Sequence, residues 1–146
     1  MRYEMSPRES KKAEYFRFAE STVRGLRRRA RRGGRAGQTE LAERYVIERM
    51  RQNDHPLIHF RDGPGGRGPT PLGSRLDVAG VISTSRQNEN SPESTAAYLE
   101  IPLEHVQAAV AYYAAYTAEV DAEIADREEI VAEAQTRWER QRAAPA

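Results

Sequence analysis

The chain has no cysteine among its 146 residues, which excludes a disulfide scaffold, a thiolate metal site and a cysteine nucleophile together. It is also short of core-forming side chains: 38% of residues are hydrophobic, 31% are charged, and the mean hydropathy is -0.82. An ordinary globular chain holds about 45–50% apolar and about 25% charged residues, so this one has little to bury. No apolar run approaches the ~18 residues that span a bilayer, and Met1-Arg2-Tyr3-Glu4 opens no signal peptide. A cytoplasmic location is the expectation. The length suits one ordinary domain or two small ones.

The net charge of +1 conceals a division. Met1 to Gln52 holds 15 Lys and Arg against 7 Asp and Glu, a net of +8; Asn53 to Ala146 holds 8 against 15, a net of -7. Such sorting points to a half that faces a polyanion, joined to a half with other business.

Residues 1–10 carry almost nothing apolar and read as a loose tail. Over Glu14-Tyr15-Phe16-Arg17-Phe18-Ala19-Glu20 the alternation predicts a short strand, with Phe16 and Phe18 on one face and Tyr15 and Arg17 on the other. Val23, Leu26 and Ala30 then recur at helical spacing, surrounded by Arg24, Arg27, Arg28, Arg31 and Arg32. Three glycines within Gly33–Gly37 end that helix. Gln38 or Thr39 can cap a second helix, with Glu40 and Glu43 in its first turn and Leu41, Tyr45, Val46 and Met50 as its apolar stripe.

One strand and two short helices cannot bury a core alone; the economical solution pairs the strand with its copy from a second chain. On "EYFRF", "VRGLRRRARRGG" and "QTELAERYVIERM", the segment from Ala13 to Met50 resembles the ribbon-helix-helix family of bacterial repressors. The resemblance implies a DNA-binding and dimerisation domain over residues 11–52, its two-stranded ribbon lying in the major groove. Tyr15 and Arg17 would then reach base edges, and Arg17 could pair bidentately with a guanine. The helix start at Gln38 and Thr39 would meet a phosphate, and Lys12, Arg27, Arg28 and Arg31 would supply nonspecific attraction. The plain alternative for the arginines is a solvated helix face.

In the acidic half, His55 to Gly63 reads as a strand, Gly63 to Pro69 as a hairpin or loop, and Leu72 to Val78 as the returning strand. The glycines lack the strand-to-helix setting and Lys-Ser or Lys-Thr ending of a phosphate-binding loop. A helix begins near Val78 with Val81 and Ile82 inward. Ser91-Pro92-Glu93 starts the next, with Ala96, Ala97 and Leu99 inward until Ile101-Pro102. A third runs from Leu103 through Val106, Val110 and Tyr113 to about Tyr116, and a long one from Ala118 towards Arg142. "GPTPLGSRLDVAGVI" followed by "SPESTAAYLEIPLEHVQAAVAYYAAY" looks like the small winged-helix-like domain of VapB-type bacterial antitoxins, which occur beside PIN-like nuclease toxins. That domain is expected over residues 53–118, with a C-terminal helix and tail over 119–146. The fold expectation is mainly α with small β elements.

Between Gln87 and Asp126 there is no Lys or Arg, so this unit is read as protein-binding or structural rather than DNA-reading. Along the last helix Val120, Ile124, Val131, Ala134 and Trp138 recur near multiples of 3.5 residues. The stripe either docks on its own domain or enters a partner's groove. Ile124, Val131 and Trp138, with Arg137, Arg140 and Arg142, are the expected toxin contacts; against a metal nuclease, one arginine would take the place of the metal ion. His55, His59 and His105 form no metal site, because His55 and His59 lie on an extended segment. No catalytic constellation is visible, and no metal or cofactor is expected. The functional expectation is a dimeric antitoxin that neutralises a PIN-like ribonuclease and represses its own operon on double-stranded operator DNA. The alternatives are a stand-alone dimeric transcriptional regulator with no toxin partner, and a structural adaptor with only nonspecific nucleic-acid affinity.

Overall fold

The computed structural model describes residues 9–33 and 37–145. The order of elements is α1 (Glu20–Arg32), α2 (Gln38–Asp54), β1 (Ile58–Gly63), β2 (Gly66–Pro71), α3 (Val78–Gln87), α4 (Pro92–Leu99), α5 (Leu103–Ala115) and α6 (Thr117–Ala143). The protein is mainly helical, with one small antiparallel sheet. The chain divides into two compact units, Met5–Pro56 and Leu57–Ala146. The expected tail of residues 1–10 and the glycine turn fall largely outside the described residues.

In the first unit, the strand expected over Glu14–Glu20 does not form: residues 9–19 carry neither helix nor strand, and Glu20 already belongs to α1. A strand exists only by its hydrogen-bond ladder, and among the described residues this segment meets no partner strand. The alternation still shows locally, because the Phe16 and Phe18 rings stack with centroids 6.3 Å apart. Lys11 Nζ ties the segment to α2 through the Glu43 carboxylate at 2.9 Å. Helix α1 buries no residue; Val23, Leu26 and Ala30 are only half-covered. Of the expected stripe on α2 only Leu41 is buried, whereas Tyr45, Val46 and Met50 are exposed and Glu48 and Arg51 are buried. Two helices give α2 one neighbour, too few to cover a stripe of that width. Gly37, not Gln38 or Thr39, takes the N-cap position, without a side-chain cap.

In the second unit, β1 and β2 pair from Ile58↔Pro71 to Gly63↔Gly66, so Pro64-Gly65 is a two-residue hairpin turn. The returning strand therefore lies in the stretch read as loop, and Leu72–Asp77 is the connection to α3. Proline is rare inside a strand, yet β2 holds two, Pro69 and Pro71. The ladder resolves the difficulty. Leu72 N–H donates to Leu57 O at 2.8 Å, which puts the odd-numbered β1 positions in the hydrogen-bonded pairs. Pro69 and Pro71 face Phe60 and Ile58, at positions where no ladder donor is needed.

The core gathers Ile58 and Phe60 from the sheet, Val78, Val81 and Ile82 from α3, Val106, Ala109 and Tyr112 from α5, and Val120 and Ile124 from α6. Tyr112 is completely buried, edge-on to Phe60 and against Tyr116. The expected inward faces shift slightly: Val110 is exposed and Tyr113 half-covered where Ala109 and Tyr112 point in, and Ala97 is exposed where Thr95 is buried. On α5 the error is one residue of helical phase. The cap read at Ser91 holds, accepting from Ser94 N–H at 3.2 Å, and the helix expected near Val78 is capped by Asp77, which accepts from Gly80 N–H at 3.0 Å. Helix α4 ends on Glu100 in the left-handed region (φ 56°), and three residues lead into α5, the outline of a helix-turn-helix.

Candidate nucleic-acid and protein interfaces

Two surfaces stand out, one on each unit. On the first, Tyr15 is 94% exposed, and Lys12, Arg17, Arg27, Arg28, Arg31, Gln38 and Thr39 are all exposed as well. Lys12 lies 3.9 Å from Glu14, and exposed pairs of that kind contribute little. Arg27, Arg28 and Arg31 belong to α1, whereas Gln38 and Thr39 open α2 with free backbone N–H groups. Between the helices lies an open groove of about 340 Å³ bordered by Phe18, Leu26, Ala42, Tyr45 and Val46. The first unit thus presents cations on its helices and an uncovered apolar face between them.

On the second unit the decisive feature is how α6 is held and where it is released. Arg127 donates to both oxygens of the Asp77 carboxylate, at 2.9 and 2.5 Å, and its Nε donates to Glu123 at 3.0 Å. The hairpin tip closes over the same guanidinium: a Cβ on Gly65 would stand 2.8 Å from an Arg127 nitrogen. Burial alone would raise the Asp77 carboxyl, but the hydrogen bonds from Arg127 and Gly80 outweigh it and hold the group below its ordinary value. Arg127 shifts upward, chiefly through its bond to Asp77. A second tie joins α3, α5 and α6, where Asp121 accepts from Arg86 at 2.5 Å and from the Tyr113 hydroxyl at 3.0 Å.

Beyond that anchor the helix leaves the domain. Every described residue from Glu128 to Pro145 is exposed, including Val131 at 68% and Trp138 at 49%. Sixteen helical residues extend for about 24 Å. The stripe read from the sequence is therefore divided. Val120 and Ile124 are core, and Ile124, 4% exposed, cannot be a contact for another protein. Val131 and Trp138 remain available, with Arg137, Arg140 and Arg142 beside them, and the Arg142 guanidinium sits 4.7 Å over the Trp138 ring. Alongside the exit of α6 runs a groove of about 580 Å³ bordered by Leu76, Ala79, Ser83, Ile124, Val131 and Ala132.

The Asp77–Arg127 clamp was not anticipated, since its members lie fifty positions apart; only the Glu123–Arg127 spacing was a local signal. His59 does not join another histidine. Burial, then the nearby Arg61 charge, lowers its pKa, and its Nε2 is buried without a partner. No group of three or more metal-binding side chains occurs among the described residues, and no described helix is long and apolar enough to cross a membrane. Comparisons with family models, curated proteins and solved structures found no match.

Proposed function

We propose that this protein is an antitoxin-type repressor: two first units join through residues 13–19 into a ribbon-helix-helix dimer on operator DNA, and the second unit binds and neutralises a PIN-like ribonuclease. The observation that carries the reading is the uncovered apolar face of α1 and α2. A basic two-helix unit with no buried residue in α1 is half of something. A second copy would cover Phe18, Leu26, Tyr45 and Val46 and give the strand-like segment the ladder it lacks. Tyr15 and Arg17 would then line the ribbon's outer face.

The second unit contributes the other half of the reading. Its acidic surface disfavours DNA, and the exposed arm beyond Arg127 supports a protein contact through Val131, Trp138, Arg137, Arg140 and Arg142. Toxin bound there would couple repression to toxin level by mass action.

The test is binding of the full chain to the duplex upstream of its own reading frame and to a scrambled duplex of equal composition. Preference for the upstream duplex, lost with Arg17→Ala, supports the reading. Equal shifts of both at physiological salt overturn it.

A further inference from the structure

In the exposed half of α6, two acid–arginine pairs are placed symmetrically about Gln135: Glu128 with Arg142, and Glu133 with Arg137. Glu128, Gln135 and Arg142 are spaced by seven residues, so they lie along one line of the helix about 10 Å apart. That line borders the stripe made by Val131, Ala134 and Trp138, and Glu128 and Gln135 also edge the groove beside α3. Rotation of the helix by half a turn about Gln135 lays Glu128 of one copy against Arg142 of the other, twice. Glu129 and Glu133 precede the centre and Arg137 and Arg140 follow it; Glu139, which accepts from Gln135 Nε2 at 2.8 Å, is the one acid on the arginine side.

We infer that α6 pairs antiparallel with α6 of a second copy, centred on Gln135. A helix that buries no residue over its last sixteen positions has little to hold it in water, and an apolar stripe with complementary flanks supplies what is missing. The stripe is a continuation of the seam that Val120 and Ile124 already use inside the domain. In the antiparallel arrangement the partner's last turns run back along α6 towards Arg127. This brings the partner's Trp138 beside Ala132, at the mouth of the groove bordered by Leu76, Ala79 and Ser83. Small side chains there leave room for an indole. A parallel pair would set Glu128 against Glu128 and Arg142 against Arg142, so the electrostatics select the direction. The interface is isologous and separate from residues 13–19; it uses the same Val131, Trp138 and Arg142 face as the proposed toxin contact, so it belongs to the chain purified alone and a bound toxin would displace it.

The absence of cysteine makes the test direct. Gln135→Cys, Glu128→Cys and Arg142→Cys are introduced singly into the full chain, purified alone and oxidised at micromolar concentration. Antiparallel pairing yields a disulfide dimer from Gln135→Cys, little from either other variant alone, and a dimer when Glu128→Cys and Arg142→Cys are mixed. In the Gln135→Cys background, Arg142→Glu lowers the yield several-fold and the added Glu128→Arg restores it. All three sites are exposed, so folding is preserved and checked by circular dichroism. Equal self-linking at positions 128 and 142 means parallel pairing and overturns the inference, as does absence of any covalent dimer.

Discussion

Arg127 on α6 grips Asp77, the N-cap of α3, with two parallel hydrogen bonds at 2.9 and 2.5 Å. One carboxylate therefore closes a helix start and fixes the point from which the C-terminal arm departs. The geometry is bidentate and partly shielded, the arrangement in which an Arg–carboxylate pair contributes most.

Asp77→Ala removes both functions and is expected to destabilise the second unit by roughly 2–3 kcal/mol, read as a lower urea midpoint at unchanged slope. Asp77→Asn keeps a capping oxygen and should recover about 1 kcal/mol of that loss. Equal losses for the two variants would mean that the cap contributes nothing.

The acid limb of stability should have two parts. The folded-state values of both His59 and Asp77 are depressed, so each contributes stability above its unfolded value that is lost as pH falls. His59 acts below its ordinary 6.5 and Asp77 below its ordinary 3.8. Thermal melts from pH 8 to pH 3 should lose the upper part with His59→Gln and the lower part with Asp77→Asn. Unchanged profiles in both variants would refute the assignment.

Tyr112→Ala should cost about 3–5 kcal/mol, because the ring is wholly buried between Phe60 and Tyr116. Val110→Ala, two residues earlier and exposed, should change stability by less than about 0.5 kcal/mol. Chemical denaturation of the two variants decides the phase of α5.

On DNA, Arg17→Ala should reduce discrimination between the upstream and scrambled duplexes by ~1–3 kcal/mol. Arg27→Ala should weaken both alike and lower the salt slope by about 1. Fluorescence anisotropy across a salt series separates the two. If Arg27→Ala altered sequence preference instead, α1 would be the reading element.

Much of the helical frame was legible because its signals are local. Ser91-Pro92-Glu93 fixes a helix start through a hydrogen bond three residues long, and the long α6 follows from one sustained stripe. What escaped depended on partners distant in sequence. The β2 strand was hidden by Pro69 and Pro71, whose placement makes sense only once the pairing parity is known. Ile124 and Val131 belong to one stripe, yet only the position of Arg127 against Asp77 decides where that stripe stops being core. The segment around Phe16 and Phe18 alternates as a strand should, but a single chain offers nothing for it to pair with.

Co-expression of the full chain with the product of the neighbouring reading frame, followed by affinity capture and a growth assay, tests the central claim most directly. The account predicts that a ribonuclease co-purifies, that growth arrest is relieved, and that Trp138→Ala weakens capture by about 2 kcal/mol or more while the chain stays folded. Failure of any nuclease from that frame to co-purify, or undiminished capture and relief by a chain truncated after Arg127, would contradict it.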